Sequence, residues 1–364
     1  MVDDSPLRLI ALLEQCVRIP SLSGQERAAA DFLCSEMRRR RFDHAFIDEA
    51  GNAIGVIGRG ARQIVLLGHI DTVSGHVPVR YEDGKLYGRG TVDAKGPLCA
   101  FILAAEALAQ AIAPEWQIIV AGAVEEEAAT SKGARFVATQ YRPEMCIIGE
   151  PSGADGITLG YKGRLLIQAH VERPSQHTAI PEPSVSESAV LLWNHVKALA
   201  DAWNADKPKA FDQVLPSLRR IQSGDDGLRE WCDMLIGVRL PIEFGPDALQ
   251  REIEAWRAGR PDAHRFALSF SGAEPAWRAP KDTPLARAFV DAIRAEKMRP
   301  AFKLKTGTAD FNVVGPVWNC PIIAYGPGDS SLDHTPHEHI AIDEFAKAVR
   351  VLIGALRSLV AAKT

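Results

Sequence analysis

Three apolar runs in this sequence end in groups that can bind or move charge. Val65-Leu66-Leu67-Gly68 leads into His69-Ile70-Asp71, and the two-residue period of a strand puts His69 and Asp71 on one side. One of the two can hold a metal ion while the other orients it, since a metal-bound histidine commonly leans on a carboxylate behind it. Ile118–Ala121 runs into Val124-Glu125-Glu126-Glu127, and Cys146-Ile147-Ile148-Gly149 into Glu150. Asp93 closes the glycine-rich segment Gly88-Arg89-Gly90-Thr91-Val92-Asp93, and Asp333-His334-Thr335-Pro336-His337-Glu338-His339 carries three histidines. Taken singly, each has an ordinary explanation as a strand end at the surface, a solvated acidic cluster or a loop. The Gly-x-Gly lacks the third glycine of a dinucleotide fingerprint and follows no clear strand, which argues against a nucleotide site.

Position links them. In an α/β sheet, ligands bind outside the carboxyl ends of the strands, where these groups fall. His69, Asp93, Glu127, Glu150 and His334 make a set of two histidines and three carboxylates. Such mixed nitrogen and oxygen donors suit zinc, cobalt or manganese rather than calcium. If Asp93 bridges two ions, each keeps three protein ligands and an open position. Two ions about 3.5 to 4 Å apart can acidify a shared water and polarise a carbonyl.

The elements that must carry these groups are legible as patterns. Ser5-Pro6 followed by Leu9, Leu12, Leu13, Cys16 and Val17 predicts an opening helix, and the spacing of Ser23 and Glu26 predicts a capping box starting a second one. The basic run 38–41 that ends the second helix reads as a solvated end favoured by the helix dipole. Strands are predicted at 53–57, 63–67, 117–121 and 145–148, with a long helix over 97–113. Strands alternating with helices imply an α/β fold with a mixed, largely parallel sheet buried on both faces. From about residue 158 the texture changes to strands near 164–171, 214–222, 232–240 and 264–271 and helices near 184–202 and after Pro246. A smaller α+β unit over 158–272 is therefore predicted as an insertion in a catalytic domain of 1–157 and 273–364. Its remainder holds strands at 301–305 and 321–325 and a closing amphipathic helix with Phe345, Val349, Leu352 and Leu356 on one face.

At 364 residues the chain exceeds a single core, and 46% hydrophobic with 24% charged residues is ordinary globular composition. The net charge of −4 offers nothing to nucleic acid or an anionic membrane. Six scattered cysteines form no C-x-x-C pair and read as small buried residues. The start Met1-Val2-Asp3-Asp4 has no signal-peptide pattern and no apolar run is long enough to span a bilayer, so a cytoplasmic protein is expected.

The sequence resembles the M20 metallopeptidases, the group of aminoacylases, acetylornithine deacetylases and succinyl-diaminopimelate desuccinylases. The likeness spans nearly the whole chain. It is carried by Gly68-His69-Ile-Asp71-Thr-Val, Gly88-Arg-Gly-Thr-Val-Asp93-Ala-Lys-Gly, Val124-Glu-Glu-Glu127, Gly149-Glu150-Pro151, Gly160-Tyr-Lys-Gly163-Arg, His177-Thr-Ala-Ile-Pro181, Arg239-Leu-Pro241, Gly307-Thr-Ala-Asp310 and His334-Thr-Pro-x-Glu338. The resemblance implies that His69, Asp93, Glu127, Glu150 and His334 bind two metals, with Asp93 bridging. It makes Asp71 the support of a histidine ligand and Glu126 the general base. Glu125 as base with Glu126 as ligand is the alternative register. His337 and His339 then lie behind the ligands or in solvent. His177 matches a lid histidine that reaches a partner's active site and bonds the oxyanion, so the insert is expected to be a lid and dimerisation domain of a homodimer. Arg239, Gly307 and Asp310 are the expected substrate-binding residues.

Within the family, Ser131-Lys-Gly-Ala-Arg135, the Gly-Tyr-Lys-Gly-Arg turn and Lys303-Leu-Lys305-Thr-Gly-Thr-Ala-Asp310-Phe-Asn312 look most like hydrolases of lysine biosynthesis. Those release lysine or ornithine from the C-terminal glutamate of a small acidic amino-group carrier protein. Lys303 and Lys305 share a strand face that could meet such a carrier, and an ordinary solvated edge explains them equally. Asp310 could pair with a cationic substrate group or cap its loop. A deacetylase for free N-acetylornithine or N-acetyl-lysine, or a succinyl-diaminopimelate desuccinylase, is the enzymatic alternative. A metal-binding fold without catalysis is the other, and keeping a base beside open metal positions speaks against it. No Gly-x-Ser-x-Gly elbow supports a serine hydrolase.

Overall fold

A computed structural model describes residues 6–177 and 179–361; Ser5, expected to cap the first helix, lies outside them. The chain divides into two compact units, one of Met1–Gly160, Arg278–Leu304 and Ala309–Thr364, the other of Tyr161–Trp277 with Lys305–Thr308.

The first unit is built on a mixed sheet whose centre runs parallel in the order Trp116–Ala123, Arg62–His69, Met145–Gly149, Ile322–Ala324. These strands are almost wholly buried, which is why they read as continuous Ile/Val/Leu runs rather than alternating ones. Gly68 lies opposite both Gly122 and Gly149, so three carboxyl ends finish level with one another. Antiparallel strands Ala53–Gly58 and His44–Ile47 extend one side. Helix Lys95–Leu108 is buried nearly all round, and a Cβ on Gly149 would stand 2.9 Å from its Phe101 ring. That absent side chain lets the helix that follows Asp93 lie directly on the sheet. The helix stops short of the predicted residue 113 because the chain turns off at Ala109, and the Ala113 N–H is given to the Val360 carbonyl of the closing helix, Ile342–Val360.

One expectation for the second helix, Arg27–Arg39, is overturned. Its N-terminus has no side-chain cap. The Ser23 hydroxyl donates instead to Asp71 Oδ2 at 2.7 Å, and Glu26 Oε1 accepts from the Gly24 and Glu125 amides at 2.8 and 3.1 Å. As a cap the Ser23 oxygen would accept from a helix N–H; here the hydroxyl is turned to donate to a buried carboxylate, a charged acceptor that makes the stronger bond. The basic run 38–41 ends the helix in solvent as expected at Arg38, Arg39 and Arg41, while Arg40 is drawn in by Glu36 and Glu106, leaving its side chain 17% exposed.

The second unit is a four-stranded antiparallel sheet in the order Leu215–Asp225, Arg229–Leu240, Gly163–Pro174, Phe266–Glu274. Alternating burial along Gly163–Pro174 and Arg229–Leu240 turns Leu165, Ile167, Met234, Ile236 and Val238 to a core shared with helices Val185–Asn204 and Pro246–Ala258. Ser184 and Glu187 close a capping box at the start of the first of these helices. Among the described residues the six cysteines are free thiols, five of them buried, and no helix is long and apolar enough to cross a membrane.

Candidate metal centre

The level strand ends of the first unit deliver His69, the acidic turn after Ala123 and Glu150 to one edge. Asp93 comes from the segment before helix Lys95–Leu108, and His334 from the loop after Ser330–Leu332. Their ligand atoms form three overlapping groups, each within 4.8 Å: His69 with Asp93 and Glu150, His69 with Glu126 and Glu127, and Asp93 with Glu127 and His334. The two oxygens of Asp93 divide between the histidines, Oδ1 lying 3.2 Å from His69 Nε2 and Oδ2 2.9 Å from His334 Nε2. Glu127 Oε1 is 3.0 Å from His334 Nε2, Glu150 Oε1 3.7 Å and Glu126 Oε2 3.9 Å from His69 Nε2. Glu125 turns away. Its positive φ of 57° carries its carboxylate to the Thr130 hydroxyl and toward Lys132.

Groups outside the cage hold it in shape. Asp71, fully buried, lies 3.4 Å from His69 Nδ1 and accepts the Glu126 amide at 3.1 Å and the Glu127 amide at 3.0 Å. With Glu26 on the Glu125 amide, three successive N–H groups of the acidic turn are taken by two carboxylates. Glu338, also fully buried, accepts from the amides of Gly90, Val92 and Asp93. The local sequence marks Ser23 and Glu26 as a helix cap and gives Glu338 no separate signal beyond the family motif it ends.

The other expected residues are placed as follows. Asp310 is buried at the first turn of helix Asp310–Trp318, and its negative charge raises the Glu126 carboxyl. His177, Arg239 and Gly307 belong to the second unit: His177 is exposed three residues beyond strand Gly163–Pro174, Arg239 lies near the end of strand Arg229–Leu240, and Gly307 lies in the Lys305–Thr308 return. His177 Nδ1 accepts from the Ala179 amide at 3.1 Å, so its ring proton sits on Nε2 in the neutral form. Lys303 Nζ donates to the Ser152 carbonyl at 2.6 Å, and Lys305 Nζ lies 5.9 Å over the Tyr161 ring. His339 Nδ1 lies 2.7 Å from the His337 carbonyl, and its ring packs on Tyr87.

Residues 65–358 match the model of peptidase family M20/M25/M40. The chain belongs to this family. A LysW-lysine hydrolase of Deinococcus radiodurans is 47% identical over 96% of each chain. A provisionally named LysW-lysine/LysW-ornithine hydrolase of Thermococcus kodakarensis is 38% identical over 97% of this chain and 93% of its own. The aminopeptidase PepT of Bacillus cereus has the same fold, with a TM-score of 0.77 at 17% identity, covering 98% of this chain and 99% of its own.

The YXEP protein of Bacillus subtilis, a dinuclear metal-binding peptidase of the M20 family, has the same fold, with a TM-score of 0.68 at 14% identity over 98% of each chain, and the donor chemistry of the present cage fits divalent cations. Burial would raise the Asp93 carboxyl, yet its bonds with His334 and His69 hold it well below the carboxylate range. Burial pulls His69 down, and its bonds with Asp71 and Asp93 outweigh that and raise it well above an ordinary imidazole. His334, bonded to Asp93 and Glu127, is pushed up to about 10. Burial, with the charges of Glu150, Asp310 and Glu127, lifts Glu126 well above a normal glutamate against the opposing pull of His69. Asp93 and Glu127 thus keep a proton on His334 near neutral pH, and a metal ion, which binds neutral imidazole, must displace it.

Proposed function

We propose that this M20-family hydrolase releases lysine, ornithine or both from an amino-group carrier protein, the amide partner of the amino acid in lysine or arginine biosynthesis. One conjunction carries the reading: a cage centred on a shared Asp93, with the buried Glu126 carboxyl beside it, in a chain 47% identical over 96% of its length to a LysW-lysine hydrolase. Two divalent ions, zinc or cobalt with manganese the third choice, would be held by His69, Asp93, Glu127, Glu150 and His334. When bound they supply Lewis acidity and lower the pKa of water.

The chain's own groups do the rest. Glu126 takes a proton from the attacking water and returns it to the departing amine nitrogen. Asp71 fixes the His69 ring and the backbone of the acidic turn. His177 donates a hydrogen bond from its Nε2–H to the oxyanion of the tetrahedral intermediate. Asp310 meets the cationic end of the amino acid, and Arg239 and Gly307 are the other substrate-binding residues. The second unit, an insertion in the catalytic domain, acts as lid and dimerisation domain of a cytoplasmic homodimer, and His177 serves the partner's site.

Substrate class is tested by mass spectrometry after incubation with zinc or cobalt. The carrier bearing lysine or ornithine on its C-terminal glutamate should lose the amino acid, while N-acetyl-lysine, N-acetylornithine and succinyl-diaminopimelate should be poor substrates. Cleavage confined to the free compounds would replace the carrier reading. Service in trans has its own signature. Glu126→Gln and His177→Ala homodimers should each be nearly inactive, and mixed dimers purified by two tags should regain one working site. Mixed dimers no better than either parent would put His177 in its own subunit's chemistry or outside it.

A further inference from the structure

Two of the proposed metal ligands, Asp93 and His334, come from segments far apart in sequence, yet they meet at 2.9 Å. Strands Lys85–Tyr87 and His339–Ala341 pair antiparallel, with His339 opposite Tyr87. This brings together the loop that begins at Gly88 and the loop that ends at Glu338. Strand pairing fixes the start of the first loop but not its far end, where Asp93 stands six residues beyond Tyr87.

Glu338 reaches that far end. Its Oε1 accepts from the amides of Gly90 at 2.9 Å, Val92 at 3.0 Å and Asp93 at 3.2 Å. Its Oε2 accepts from Arg89 Nη1 at 2.7 Å, and its carbonyl accepts from the Gly88 amide at 3.3 Å. Every one of these donors belongs to the Gly88–Asp93 loop. Gly90 can take part because its φ is +87°, and a Cβ there would press to 3.0 Å from Thr72 Cγ2. Arg89 is held in turn by its Nε bond to the Gly75 carbonyl at 3.1 Å. On the other side of Glu338, His334 has φ +62°, a conformation a histidine keeps only when its surroundings impose it.

A carboxylate buried completely is costly unless its lone pairs are filled, and an aliphatic side chain would pack the same space without that cost. Here one oxygen gathers three amides, the last belonging to Asp93, and the residue sits four positions beyond His334. We propose that Glu338, with Arg89 as its counter-ion, is the positioning residue of the metal centre. It ties the Asp93 loop to the His334 loop and so aims the two oxygens of Asp93 at opposite histidines.

The inference rests on the dinuclear reading above. Its test is zinc uptake by equilibrium dialysis and plasma mass spectrometry, at a temperature where each metal-free variant is folded by circular dichroism. Wild type should take up two zinc ions. Glu338→Gln, which keeps the size but opposes an amide to Arg89, should bind the weaker ion about 10- to 100-fold less tightly. Arg89→Ala, which removes the Oε2 bond only, should show a smaller loss in the same ion. With cobalt(II) in place of zinc, the magnetic coupling between two ions that share Asp93 should weaken in Glu338→Gln, a change that a loss of fold stability alone does not produce. Wild-type zinc affinity in both variants would overturn the inference and leave the dinuclear reading intact. Failure of wild type to bind two ions would overturn that reading itself. If Glu338→Gln does not fold, Arg89→Ala decides.

Discussion

Glu126→Gln should keep the metal content of the wild-type protein and lower kcat by about 10²- to 10⁴-fold, the usual contribution of a general base. Glutamine preserves the size of the side chain and an oxygen facing the cage but cannot accept the proton of the attacking water. The five proposed ligands are untouched, and Asp71 holds the backbone of residue 126 through its amide, not its side chain. Metal analysis alongside kcat therefore separates loss of chemistry from loss of the centre. Glu125→Gln is the matching control: its carboxylate faces Thr130 and Lys132, so its kcat should stay within about twofold of wild type, as for surface groups outside a site. A fully active Glu126→Gln would remove Glu126 as the base. An inactive Glu125→Gln with an active Glu126→Gln would move that role one residue back.

Asp93→Ala should lose metal itself. Asp93 belongs to two of the three ligand groups found among the described residues, and its two oxygens face both histidines, so its removal strikes both metal positions. Even residues behind metal ligands are worth 10- to 100-fold in affinity, so a loss above about 100-fold is expected. Proton release gives a second readout. His334 is raised to about 10 by Asp93 and Glu127, so near pH 7 it is protonated and a metal must displace that proton. Wild-type affinity should therefore climb about tenfold per pH unit for each proton displaced, and fall as the solution is acidified. In Asp93→Ala the largest cause of that raised value is gone, so fewer protons should leave on binding. Calorimetry in buffers of different ionisation enthalpy counts them. Retention of two tightly bound ions by Asp93→Ala would end the shared-carboxylate proposal.

What the sequence makes legible follows from burial. Strands covered on both faces are written as unbroken apolar runs, so Val65–Leu67, Ile118–Ala121 and Cys146–Ile148 announce themselves, and the polar group after each is conspicuous. The carboxyl-end rule then brings His69, Glu126, Glu127 and Glu150 to one edge. Asp71 is legible from its spacing to His69, while the other supports are illegible for a different reason. Ser23 and Glu26 have the spacing of a helix cap, and only the three-dimensional approach of Asp71 and the acidic turn redirects them. The outward turn of Glu125 depends on a positive φ at a residue that is not glycine, a conformation no residue type signals. Arg40 reads as one more surface charge until Glu106, 66 residues away, pairs with it.

Three of the groups behind the cage are carboxylates like most of the cage itself, with Arg89 set against one of them, Glu338. Asp71, Glu26 and Glu338 reinforce the ligand loops by gathering backbone amides, so rigidity is bought by surrounding anionic ligands with further anions. Imidazole nitrogens and carboxylate oxygens are donors that several small transition-metal cations share, so their relative binding here would follow the general order of intrinsic affinities. Metal identity in the cell becomes a matter of supply. Protein purified from a zinc-rich culture and from a cobalt-supplemented one should carry different ions in the same seats, and the ion found after purification will record the medium more than the enzyme's preference.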